Sequence, residues 1–137
     1  MPVVGYTTGV FDLFHVGHVN VLRRSKENCD ILVVGVTTDE LARARKGREP
    51  VVPFEERSAI VSSIRYVDEV VAQVSMDKLE AWHRLRFDKM FVGNDWQGTP
   101  EWLELEHQFG QLGVEILYFP YTVHTSSTVL REALRKL

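Results

Sequence analysis

Short apolar runs alternate along this chain with longer stretches whose apolar residues recur every three or four positions. Val3 to Thr8, Ile31 to Val36, Val67 to Ala72, Lys89 to Val92 and Val114 to Phe119 are strand-sized runs, rich in β-branched or aromatic residues. Between them the spacing predicts helices. Gly17 to Asn28 sets Val16, Val19 and Leu22 on one side, and a short helix begins at Thr38-Asp39-Glu40. Phe54 to Ile64 places Arg57, Val61 and Ile64 at helical spacing, and Asp77 to Arg86 aligns Leu79, Trp82 and Leu85. Thr99-Pro100 reads as an N-cap followed by proline at the first helical position. The helix it starts carries Trp102, Leu105 and Phe109 on one face, and Gly110 and Gly113 close it. Thr125 to Leu137 reads as a last helix with Leu130, Leu134 and Leu137 inward. Arg43 to Val52 is polar, basic and interrupted by Gly47 and Pro50, and reads as a mobile loop.

Strand-helix alternation of this kind predicts an α/β fold: a five-stranded parallel sheet with helices on both faces. Such sheets bind ligands outside the carboxyl ends of their strands. The segments after Thr8, Val36, Val92 and Phe119 are therefore the places to search.

Composition narrows the class. At 137 residues, positions 1–137 form one domain with enough chain for an ordinary core. Hydrophobic residues at 45% and charged residues at 26% exclude a disordered chain. The net charge of −3 sets no general nucleic-acid binding as the expectation. Cys29 is the single cysteine, so no internal disulfide forms, and a reducing cytoplasm is expected. No apolar run reaches membrane-spanning length, and Met1 to Gly5 lacks the basic start of a signal peptide.

After the first strand the chain reads Thr8-Gly9-Val10-Phe11-Asp12-Leu13-Phe14-His15-Val16-Gly17-His18. Two histidines sit three apart across a strand-to-helix turn, near a helix N-terminus that favours anions. Gly17 between them leaves room for a ligand to approach the backbone. Imidazoles there suit phosphate oxygens whose charge grows in a transition state. Zinc is the rival use of a histidine pair, but a third ligand is not obvious: Cys29 lies a helix away and no HExxH is present.

Gly9 to His18 resembles the GxFDLxHxGH signature of the cytidylyltransferases. Arg65-Tyr66-Val67-Asp68-Glu69-Val70 is similar to their RYVDEV segment, and Gly93-Asn94-Asp95-Trp96 to their GDDW segment. The similarity spans nearly the whole chain and is strongest to the glycerol-3-phosphate branch. It implies a single Rossmann-like domain, a homodimer, and an in-line reaction. A phosphate monoester oxygen attacks the α-phosphorus of CTP, and pyrophosphate leaves. By this resemblance His15 and His18 hold the triphosphate, with Lys46 as a further catalytic cation. Gly9, Val10, Phe11, Asp12 and Gly17 form the nucleotide turn, and Asp12 supports it or lies near a metal. Arg57 matches a nucleotide-site arginine. Asp95 accepts from the cytosine amino group, and Trp96 lines the base pocket or packs. Arg45 and Lys78 match acceptor-phosphate positions. Arg65 and Asp68 are structural or lie at the dimer interface. Magnesium is implied as the triphosphate's counterion, with its ligands unassigned.

The last family motif, RTxGIST[TS], is altered here. Thr125, Ser126, Ser127 and Thr128 keep the hydroxyl cluster, but Tyr121 replaces the arginine and His124 the glycine. Tyrosine gives no charged bidentate grip on phosphate, so His124 or the Arg43–Arg48 run is expected to compensate, or the acceptor differs. Lys46 to Pro53 is also similar to a KGxxRPV stretch of heptose-phosphate adenylyltransferases. Transfer of CMP to a small phosphorylated alcohol, glycerol 3-phosphate or a related polyol phosphate, is the leading expectation. Adenylyl transfer from ATP is the runner-up. A non-catalytic nucleotide-binding module and a zinc-binding protein are the other classes.

Overall fold

The computed structural model describes residues 1–120 and 126–137. In chain order the elements are β1 (Val4–Gly9), α1 (Val16–Glu27), β2 (Ile31–Thr37), α2 (Asp39–Lys46), α3 (Phe54–Ser62) and β3 (Glu69–Gln73). There follow α4 (Lys78–Leu85), β4 (Lys89–Gly93), a 3-10 turn (Asn94–Trp96), α5 (Pro100–Gln111), β5 (Glu115–Phe119) and α6 (Ser127–Arg135).

The five strands form one all-parallel sheet in the order β3-β2-β1-β4-β5. The chain winds from β1 outward to β3, then returns past β1 to lay down β4 and β5. The winding direction reverses between β1 and β4, which is where such sheets open a crevice at their carboxyl ends.

Side-chain alternation divides the core into two layers. Leu32, Val34, Val36 and Phe91 pack with Leu22 of α1 and Val61 of α3. Tyr6, Val33 and Met90 point the opposite way and pack with Ala81 of α4 and Trp102 and Phe109 of α5. Successive strand residues thus feed opposite faces, and the helices cover both. Each large apolar side chain fully buried here contributes about 1.5–3 kcal/mol. Asp68 ties α1 to the sheet's amino edge. Its carboxylate accepts from the Leu32 N–H at 2.7 Å and from Lys26 Nζ at 2.6 Å. Burial opposes its charge, but Lys26 and that N–H outweigh burial and hold its pKa below the ordinary range.

Three expectations need correction. The Arg43 to Val52 stretch is not all loop, because α2 continues through Lys46 and ends at Gly47, whose φ of 76° is left-handed. Thr38 caps α2 by accepting from the Leu41 N–H, and acidic first-turn and basic last-turn residues suit the dipole. Leu134 and Leu137 are exposed, and of the expected inward residues of α6 only Leu130 is partly covered. Val67 lies before β3 rather than in it, since its N–H bonds back to Ile64 O and the ladder starts at Glu69.

Candidate active site

β1 ends at Gly9, and the chain turns into α1 through residues that break ordinary backbone rules. Phe11 and Leu13 both adopt left-handed φ, at 55° and 50°. For side-chain-bearing residues that costs about 1–3 kcal/mol each and needs external support.

Two buried charged side chains supply it. Asp12 accepts from the Val51 N–H at 2.8 Å through Oδ2. Its Oδ1 accepts from the Val52 N–H at 2.9 Å and the Leu13 N–H at 3.1 Å. Arg57 works on the carbonyls. It is fully buried and donates to Val10 O at 2.7 Å, Thr37 O at 2.8 Å and Val52 O at 2.8 Å, and to Asp39 at 2.6 Å. This corrects the expectation that Arg57 contacts nucleotide: its donors face protein oxygens, and no part of it reaches solvent. Asp12 fills the expected supporting role. Gly17 is buried, and its N–H is taken by the His15 ring.

The histidines cap α1 and each other. The Gly17 N–H donates to His15 Nδ1 at 3.0 Å, and the His15 N–H donates to His18 Nδ1 at 3.2 Å. This is a reciprocal capping box with imidazoles as its acceptors. A ring nitrogen that accepts carries no proton, so each neutral ring holds its proton on Nε2. The two ring centres are 4.0 Å apart. Burial pushes His18 down to about 4, the like charge of His15 adds to this, and Asp12 opposes it. Burial also lowers His15. At neutral pH the pair therefore consists of two neutral N–H donors rather than two cations.

The crevice beside them is a cavity of about 310 Å³. Gly9, Val10, Phe11 and His18 line it from the β1–α1 side, and Phe91 to Gly93 with Phe119 and Pro120 line it from β4 and the end of β5. Arg45, Met76, Lys78, Trp96, Glu101 and Trp102 complete it. Lys78 Nζ donates to Met76 O at 3.1 Å and stands 5.3 Å from the Trp102 ring centre, and burial lowers its pKa. Trp96, expected either to line the base pocket or to pack, lines this cavity and is 42% exposed. Asp95 is exposed on the same 3-10 turn and does not line it.

Lys46 ends α2, where burial, then Arg131, then Arg48 lower its pKa, while Asp12 opposes them. Those couplings place Lys46 in one electrostatic group with Asp12 and Arg131. Arg131 of α6 is a residue that sequence reasoning missed. Its guanidinium lies 3.5 Å from Asp12 Oδ2 and its side chain is 16% exposed. The available signal was a basic residue one turn after a hydroxyl cluster. In that cluster Ser126 caps α6 by accepting from the Val129 N–H. Ser127 Oγ donates to Asp12 O at 2.7 Å, tying α6 to the histidine turn, and Thr128 is exposed. The expectations at Tyr121, His124 and Thr125 lie outside the described residues. Arg65 is exposed, donates to Tyr66 Oη and stays away from the cavity. Among the described residues no cluster of three His, Cys, Asp or Glu could hold a metal, and no helix is long and apolar enough to cross a membrane.

A cytidylyltransferase-like family model matches residues 6–133. The chain belongs to the cytidylyltransferase-like family. Glycerol-3-phosphate cytidylyltransferase of Bacillus subtilis is 33% identical over 132 residues, covering 96% of each chain. FAD synthase of Pyrococcus horikoshii is 39% identical over 117 residues, covering 82% of this chain and 77% of that enzyme. Among solved structures, a lipopolysaccharide core biosynthesis protein from Thermoplasma volcanium superposes with a TM-score of 0.74 at 29% identity. It covers 91% of this chain and all of its own.

Proposed function

We propose that this family member transfers CMP from CTP to the phosphate of a small polyol phosphate, with glycerol 3-phosphate as the first acceptor to test. The observation that carries the reading is the pair of histidines. Each has its Nδ1 occupied by a backbone N–H, which leaves Nε2–H as the donor. Fixed donors stabilise phosphate charge that grows in the transition state without having to reorganise. An acceptor phosphate oxygen forms a bond to the α-phosphorus. The α–β bridging bond breaks, and its electron pair leaves with pyrophosphate. Arg45, Lys46 and Arg131 supply the positive charge that steers two anionic substrates together. Catalysis on this reading is positioning plus charge stabilisation, with no covalent enzyme intermediate.

Magnesium enters the reading with the triphosphate. The Asp12 oxygens are already taken by three backbone N–H groups and faced by Arg131. The protein's donor set thus does not fit a resident metal, and no step is drawn through one. A homodimer and a cytoplasmic setting belong to the same reading, and sedimentation velocity tests the dimer.

CTP stands first because the glycerol-3-phosphate relative covers 96% of both chains and because Trp96, of the Asn94–Trp96 turn, lines the cavity. Adenylyl transfer is the second reading, favoured by the 39% identity to FAD synthase, an enzyme named for an adenine dinucleotide. Pyrophosphate release measured with CTP and with ATP, each against glycerol 3-phosphate and other polyol phosphates, separates them. CTP-dependent release supports the proposal. Preference for ATP installs the second reading, and tight nucleotide binding without release refutes transfer to polyol phosphates and leaves an acceptor of another class or a binding module.

A further inference from the structure

Besides His18, the cavity is lined by the starts of two helices, with Met76 and Lys78 at α4 and Glu101 and Trp102 at α5. Lys78 is anchored there by Met76 O and the Trp102 ring. Glu101 feels the Lys78 charge. Even so, among the described residues no hydrogen bond or ion pair holds its carboxylate. The cavity lining therefore presents a carboxylate that no hydrogen bond holds and an ammonium donor that stands over the Trp102 ring.

That combination selects a chemistry. A second phosphate there would meet the Glu101 carboxylate, and a cationic group would meet Lys78 and Arg45. A neutral hydroxyl suits both, since it donates to carboxylate and accepts from ammonium. Met76, Trp96 and Trp102 in the same lining offer apolar surface to the carbons of a short polyol. We propose that Glu101, with Lys78, reads the hydroxyl groups of the acceptor's carbon chain, so that Glu101 is a specificity-determining residue. This rests on the polyol-phosphate reading of the acceptor. The phosphate sits toward Arg45 and His18, and the hydroxyls sit toward Glu101.

The test compares glycerol 3-phosphate with n-propyl phosphate, which has the same carbon count and no free hydroxyl. Pyrophosphate release is followed with whichever nucleotide supports turnover. Wild type is expected to favour glycerol 3-phosphate by about 10–100-fold in kcat/KM, the range of one or two hydrogen bonds to charged groups. Glu101→Ala should collapse that ratio to within about threefold of unity, through acceptor KM more than kcat. Glu101→Gln keeps one acceptor oxygen and should retain part of the preference. Glu101 is exposed on the first turn of α5, and thermal melts of both variants check that the fold is intact. A Glu101→Ala ratio equal to wild type overturns the proposal while leaving the polyol-phosphate reading standing. Wild-type turnover that ignores the hydroxyls, or that requires an acceptor without them, overturns both.

Discussion

Replacing Arg57 with alanine separates a frame residue from a ligand contact. The guanidinium is fully buried and makes four hydrogen bonds, to Val10 O, Thr37 O, Val52 O and Asp39. A hydrogen bond to a charged group contributes about 1.5–3 kcal/mol. Water entering the hole recovers part of the loss, and the Asp39 side chain is 28% exposed, so that pair is discounted for screening. A net loss of about 5 kcal/mol is the expectation, consistent with about 3–5 kcal/mol for breaking a buried pair. Against a total stability of about 5–15 kcal/mol this is severe. The melting temperature should fall by about 15 °C or more. Urea unfolding followed by circular dichroism reads the change directly. Arg57→Lys should fall between, since it keeps the charge and loses the planar fork. An Arg57→Ala protein that melts within about 3 °C of wild type and merely binds nucleotide more weakly would refute the reasoning and restore Arg57 to the ligand.

His15→Ala and His18→Ala should each lower kcat by about 10²–10³, the cost of one lost oxyanion-type donor. Steady-state pyrophosphate release measures it, and near-wild-type rates in either variant would remove the central role of the pair. His18 has a folded pKa of about 4 against an ordinary 6.5. Protonation therefore favours the unfolded chain, and its contribution is full above pH 6.5 and lost as pH falls toward 4. At most about 3 kcal/mol is involved, less for the solvent-screened part of the ring. Urea midpoints at pH 7 and pH 4.5 should differ more for wild type than for His18→Gln, and parallel behaviour would contradict the neutral-cap geometry. Arg131→Ala should weaken triphosphate binding by about tenfold, the equivalent of one charged phosphate contact. Titration calorimetry with CTP reads this, and unchanged affinity would exclude Arg131 from the phosphate site.

The strands were legible because apolar, β-branched runs bounded by polar turns have few other uses, and their alternation feeds two layers. The strand order was not, since pairing of β1 with both β2 and β4 leaves no mark in either sequence. The second half of α2 looked like loop because only Ala42 in that helix is buried. With no apolar stripe, periodicity is silent there, and capping decides. Leu134 and Leu137 erred the other way: their spacing is helical and apolar, but among the described residues nothing covers them. Arg57 was taken for a ligand residue because a sequence shows a charge at a helical core position without showing its partners. Arg131 was overlooked for the same reason, since its relation to Asp12 spans 119 positions of chain.

Charge within the turn accounts for these opposite errors. The segments Val10–Leu13 and Val51–Val52 lie outside any strand ladder, so their backbone groups need partners from side chains. Asp12 supplies the acceptor for three N–H groups, and Arg57 supplies donors for two of the carbonyls. That division allows left-handed backbone at Phe11 and Leu13, which brings His15 to the cap of α1. The histidine Nδ1 atoms then complete the helix start. The cavity is lined by groups that the turn's framework does not use: the His18 ring, the Arg45 and Lys78 cations and the Glu101 carboxylate. A residue type therefore does not announce its task in this chain. An arginine whose partners are three backbone carbonyls and the Asp39 carboxylate is architecture, and a carboxylate that no hydrogen bond among the described residues holds, set in a cavity lining, is what a ligand meets.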